Sequence, residues 1–144
     1  MIKNFLVTII CFLLIFLFVY ASVSKLADLK QFTMDMNNQP FPKWMKNILI
    51  PVVPFIEILV AALLLFDATR TGGLYASLIL MMAFTLYTLL VLLHAFRYIP
   101  CSCGGVIRNL SWKEHLVLNL FFLTISVIGI LIQPLKVLNR KRII

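Results

Sequence analysis

Charged side chains vanish from this sequence for long stretches. Residues 5–24, 71–96 and 116–135 contain no Lys, Arg, Asp or Glu, and residues 47–66 contain a single one, Glu57. A helix rises about 1.5 Å per residue, so about 20 apolar residues cross a hydrocarbon core of about 30 Å. Four such runs with short connections predict an all-α fold, an integral membrane four-helix bundle. It forms a single domain over residues 1–144, with spans at approximately 5–24, 47–66, 72–96 and 114–135. Soluble domains run near half apolar and a quarter charged; this chain is 62% apolar and 12% charged. That excludes a water-soluble globule, and it is the opposite of a disordered composition.

Span one also has the parts of a signal peptide, with Lys3 ahead of the apolar stretch and Val19-Tyr20-Ala21 as a cleavage site. Its apolar stretch lies at the upper limit for such a peptide. Cleavage would leave the other three spans without a matching partner for their apolar faces, so the span is expected to stay.

The connections carry their own signals. Leu26, Leu29, Phe32 and Met36 recur at helical spacing among Lys25, Asp28, Lys30 and Asp35, which predicts a short amphipathic helix in the interface between spans one and two. Pro40-Phe41-Pro42 ends it, and Trp44 suits an interfacial anchor. Residues 67–73 are expected to form a tight hairpin, with Gly72-Gly73 freeing the backbone. Ser111-Trp112-Lys113-Glu114 has the S-x-x-E form of a capping box and should start the last helix.

Thirteen Lys and Arg against five acids give a net charge of +8. In a soluble protein that excess would suggest nucleic acid; here the charges lie outside the apolar runs, so the bilayer and its headgroups are the expected partner. Nucleic acid is not. Orientation does not follow from the count. Lys3, Arg70, Lys136, Arg140, Lys141 and Arg142 fall on one side, and Lys25, Lys30, Lys43, Lys46, Arg97, Arg108 and Lys113 on the other.

The most specific chemical feature is Pro100-Cys101-Ser102-Cys103-Gly104-Gly105, after span three. Thiols one residue apart reach disulfide geometry only in a tight ring, since the bond tolerates Cα separations up to about 6.8 Å. Strained disulfides are the labile ones. A bridge that closes almost no loop adds little stability through chain entropy, which argues against a static role. Pro100 stops the helix, Gly104 and Gly105 free the backbone, and Arg97 and Arg108 favour the attacking thiolate. The motif therefore suits thiol–disulfide exchange, with Cys101 and Cys103 as the catalytic pair. A metal-handling protein is the competing use, with His94 and His115 completing a Cys2His2 set; C-x-C is tighter than the usual C-x2-C of metal sites. A structural subunit of a membrane complex, with no chemistry of its own, is the third alternative. Cys11, deep in span one, reads as an apolar filler.

Glu57 is the second feature, about 15 Å into its span at 1.5 Å per residue. An acid at that depth costs about 2.5 to 3.5 kcal/mol and must be protonated, hydrogen-bonded or paired inside the bundle. Pro51 and Pro54 lie before it and free carbonyls at Asn47 and Ile50, so a kink is expected. Polar stripes elsewhere could meet the acid: Thr8, Cys11, Ser22 and Lys25 in span one, Tyr87 and His94 in span three, and His115, Asn119, Ser126 and Gln133 beside Gly129 in span four. Such stripes mark faces packed against neighbouring helices.

Several of these segments resemble the DoxX-like and MauE-like membrane proteins. The stretch Ala21-Ser22-Val23-Ser24-Lys25-Leu26-Ala27-Asp28, followed by Phe32 and Pro42, is similar to the end of their first helix. The Pro-rich start of span two with Glu57, and Cys101-Ser102-Cys103-Gly104-Gly105 followed by Arg108-Asn109-Leu110-Ser111-Trp112, look like the MauE branch. Ser102 and Gly105 depart from that branch's C-G-C pattern. The resemblance implies a bacterial inner-membrane protein whose cysteine loop is periplasmic and whose termini are cytoplasmic. It also implies a role in disulfide formation or electron supply during maturation of exported proteins, beside a thioredoxin-like or other periplasmic thiol partner. Glu57 with Lys25, His94 or Tyr87 would then line a polar interior that handles protons or a quinone-like ligand, and a membrane complex or homo-oligomer would be the wider setting.

Overall fold

Backbone groups in lipid find no water to bond, so an apolar run there must satisfy its own hydrogen bonds and folds as a helix. The computed structural model describes residues 2–39, 41–93 and 112–133. They form α1 (Ile2–Ala27), α2 (Leu29–Asn37), α3 (Lys43–Leu65), α4 (Arg70–Leu92) and α5 (Trp112–Ile132), with no strand among the described residues. Four of them, α1, α3, α4 and α5, are long and apolar enough to cross a membrane. The chain is a four-helix membrane bundle.

The long helices form a closed ring in which α1 packs on α3, α3 on α4, α4 on α5 and α5 back on α1; α2 lies across α3 and α1. Leu14 and Phe18 of α1, Leu64 of α3, and Leu74 and Met81 of α4 are sealed from solvent at its centre. Phe12, Phe16, Phe55, Ile79 and Leu131 point outward, where lipid tails would take them. Cys11 is buried among Val7, Ile10 and Leu14, as an apolar filler would be.

Two local features differ from the sequence-based expectation, and a third shows how α3 carries its two prolines. Gly72 and Gly73 are not in the hairpin. Helix α4 already begins at Arg70, so the turn is confined to residues 66–69, where the Thr69 hydroxyl donates to the Leu63 carbonyl at 2.8 Å and covers an end of α3. Gly73 instead lets two helices touch: a Cβ there would sit 2.9 Å from the Leu64 backbone nitrogen. On α2, Phe32 turns inward as its spacing predicts, but Asp35 is buried with it. Gln31 makes that tolerable by donating its side-chain amide to Asp35 Oδ1 at 2.8 Å. Finally, α3 runs without interruption through Pro51 and Pro54. Beside the second proline, Ser22 of α1 donates its hydroxyl to the Pro54 carbonyl at 3.0 Å and ties the two helices together there.

Candidate functional site

Two of the residues singled out by sequence come together. Lys25 Nζ lies 2.8 Å from Glu57 Oε1 and 3.1 Å from Oε2, joining the last turn of α1 to the interior of α3. The Glu57 side chain is 1% exposed and that of Lys25 10%, so the pair is shielded from solvent at the bundle's own helix–helix seam. A side chain on a helix leans toward the helix N-terminus. Lys25 therefore runs back down α1, with its ammonium 3.5 Å from the Ala21 carbonyl, and reaches an acid deeper than its own Cα. Ser22, one turn earlier on the same face, grips α3 through Pro54. This explains the stripe of polar residues in span one, except for Thr8, which is exposed and bonds its own helix at Asn4.

A second set of polar groups ties the C-terminal end of α4 to its neighbours. The Tyr87 hydroxyl donates to Gln39 Oε1, just after α2, and the Tyr87 ring lies 5.2 Å from that of Phe41. Asn119 of α5 donates to Thr88 Oγ1 at 3.1 Å. His115 is buried one turn before Asn119, and Ser126 and Gly129 continue the buried face of α5. Of the polar stripe of span four, Asn119 bonds α4, and Gly129 lies against Leu74 of α4 and Ile10 of α1. Asp35 and Gln39 are both buried, although in the sequence Asp35 belongs to the polar face of an amphipathic segment and Gln39 follows that segment like solvent-facing surface.

Cys101, Cys103, Arg97, Arg108 and His94 lie outside the described residues. Of the Cys2His2 metal set only His115 is described, and among the described residues no three His, Cys, Asp or Glu side chains gather as a metal site.

The family model described as methylamine utilisation protein MauE matches residues 3–132. The chain belongs to the MauE family. That match covers all four spans, Lys25, Glu57 and the C-x-C motif, so the paired acid and base of this MauE chain sit within the family's own bounds. Searches of curated proteins and of solved structures each match nothing. As a MauE-family protein with four apolar helices, it is a multi-pass membrane protein whose surroundings are a lipid bilayer.

Proposed function

We propose that this MauE-family protein is a membrane accessory of thiol–disulfide exchange, passing disulfides or electrons between its C-x-C loop and a thioredoxin-like or maturing exported protein. The observation that carries the reading is the sequence Cys101-Ser102-Cys103 between α4 and α5, the only thiols in the chain besides buried Cys11. In the oxidised state of the loop, a partner thiolate attacks one sulfur of the Cys101–Cys103 bond and displaces the other as a thiolate. The second thiol of the partner then attacks the mixed disulfide. Two electrons pass from partner to loop, the partner leaves oxidised, and the loop is left as a dithiol; run in reverse, the same steps deliver electrons. Arg97 and Arg108 favour the thiolate form that each attack requires. The family description, methylamine utilisation, fits a helper that matures an exported enzyme of that process.

An oxidising compartment suits a labile disulfide. The loop is therefore assigned to the periplasmic face of a bacterial inner membrane, with both termini cytoplasmic. A quinone-like acceptor in the membrane would be the sink for the electrons.

Thiol trapping in intact cells with an impermeant alkylating reagent tests the loop's chemistry and its side together. The cysteines should resist alkylation until a reductant is added and then label from outside, and Cys103→Ser should accumulate a mixed disulfide with the partner. A pair that stays reduced and shielded from the reagent would sink the assignment.

A further inference from the structure

Lys25 turns inward from the end of its helix. A lysine near the end of a membrane helix ordinarily extends toward the headgroups and keeps its ammonium in water. Lys25 stands in the last turn of α1, yet its ammonium turns back into the bundle and bonds both oxygens of Glu57. Two seats therefore lie within reach of one flexible side chain, an inner one on Glu57 and an outer one at the interface. The inner seat exists only while Glu57 is a carboxylate. An ammonium buried beside a neutral acid loses its counter-charge, and the outer seat, hydrated and close at hand, becomes the lower in free energy.

We propose that Glu57 is a proton-binding site inside the bundle, gated by Lys25. The carboxylate takes up one proton from the side on which α1 ends, and becomes a neutral carboxylic acid. Lys25 keeps its own proton throughout and moves outward as Glu57 is neutralised. Loss of the proton draws Lys25 back. Each protonation brings one proton to Glu57 as one ammonium leaves the interior, each deprotonation reverses both, and no electrons move, so this site stands apart from the thiol chemistry and does not depend on it.

Among the described residues, no further side chain bonds the pair: the hydrogen bonds of Lys25 and Glu57 are to each other and to Ala21. On α2, the Asp28 carboxylate caps the backbone at Gln31, Asp35 is held by the Gln31 amide, and Lys30 is exposed. On α4, Tyr87 donates to Gln39, and Arg70 pairs with Asp67 at the opposite end. On α5, Glu114 is exposed and His115 is buried in the first turn. A buried acid–base pair between two helices could serve only as a staple; what marks this one is an acid 1% exposed in the interior of α3 whose counter-charge is carried on a long, flexible side chain at the end of α1.

Infrared spectroscopy of the full chain in lipid nanodiscs reads the proton directly. The chain has two glutamates, Glu57 and Glu114, so a Glu114→Gln variant grown on isotope-labelled glutamate leaves one labelled carboxyl. Replacing Cys101 and Cys103 by serine removes the thiols, so the thiol reading can fail without affecting the result. The labelled carboxylic-acid band should appear on acidification and vanish on return to alkaline pH, and in Lys25→Met it should persist at every pH. At one fixed alkaline pH, a water-soluble amine reagent should modify Lys25 about tenfold faster in Glu57→Gln than in the parent, as a bias of about 1.4 kcal/mol between the seats requires. A labelled band that never changes with pH in the parent, or equal modification of Lys25 in both chains, overturns the proposal. The infrared titration of the parent needs no substitution at the pair, so it holds even where Glu57→Gln or Lys25→Met does not fold.

Discussion

At the scale of single residues, the energetics of the molecule turn on one ion pair. Two charges withdrawn from water gain little over a well-packed apolar pair, but removing one of them strands the other and costs about 3 to 5 kcal/mol. The two ends of this pair are not equivalent. Glu57 is 1% exposed and lies in the interior of α3, with no route to the headgroups, whereas Lys25 can swing outward. Lys25→Met should therefore be the more damaging single change, losing about 3 kcal/mol, and Glu57→Leu the milder one. The double variant Lys25→Met, Glu57→Leu should regain most of the loss. Thermal unfolding of the four chains in one detergent measures all three terms. Glu57 was legible in the sequence because an acid is conspicuous in an apolar run. Its partner was legible only as one of three candidates, since nothing in the spacing says that a lysine at the end of one span turns back to meet an acid inside another. Asp35 was not legible at all, because its burial depends on where α2 lies across α1 and α3.

Helices make the next scale, and there glycine shows how a sequence signal changes meaning once elements pack. Gly72 and Gly73 are adjacent and look alike as a turn signal, yet α4 includes both and places them on different faces. A Cβ at Gly73 would meet the Leu64 backbone at 2.9 Å, which can be relieved only by moving α3 away from α4; at Gly72 it would meet nothing within 4 Å. Gly73→Ala should consequently cost about 1 to 3 kcal/mol through overpacking. Gly72→Ala should be neutral or gain up to about 1 kcal/mol from helix propensity. A side-by-side measurement of the two melting temperatures checks the contrast; equal effects would mean that α3 and α4 do not approach as closely as Gly73 permits. The helices themselves were readable because hydrocarbon leaves the backbone no other choice. Their contacts were not, since every face of such a helix is apolar and the core face differs from the lipid face only in what meets it.

For the molecule as a whole, the closing contact is that of α1 with α5, which turns a row of helices into a ring. The number of spans was plain from the uncharged runs, while orientation was not, because Lys and Arg divide six to seven between the two sides. The ring bears on the fate of span one, which carries a serviceable cleavage signal at Val19-Tyr20-Ala21. Cleavage after Ala21 would remove Val7, Ile10, Leu14 and Phe18 from the core, and with them the cover over Val60, Leu64 and Leu74. It would also leave the acid of α3 paired to a lysine no longer anchored by a spanning helix. Leu14 is fully buried and Phe18 1% exposed, and emptying sites of that kind costs about 2 to 5 kcal/mol each, enough to undo a bundle whose total stability is of order 5 to 15 kcal/mol. The folded protein should therefore keep α1. A chain tagged at both ends and recovered from membranes should migrate as one species carrying both tags, with the intact mass of the uncleaved sequence. Recovery of a folded, membrane-inserted species beginning at Ser22 would show instead that three spans suffice, and that the contacts of α1 with α3 and α5 do not hold the ring together.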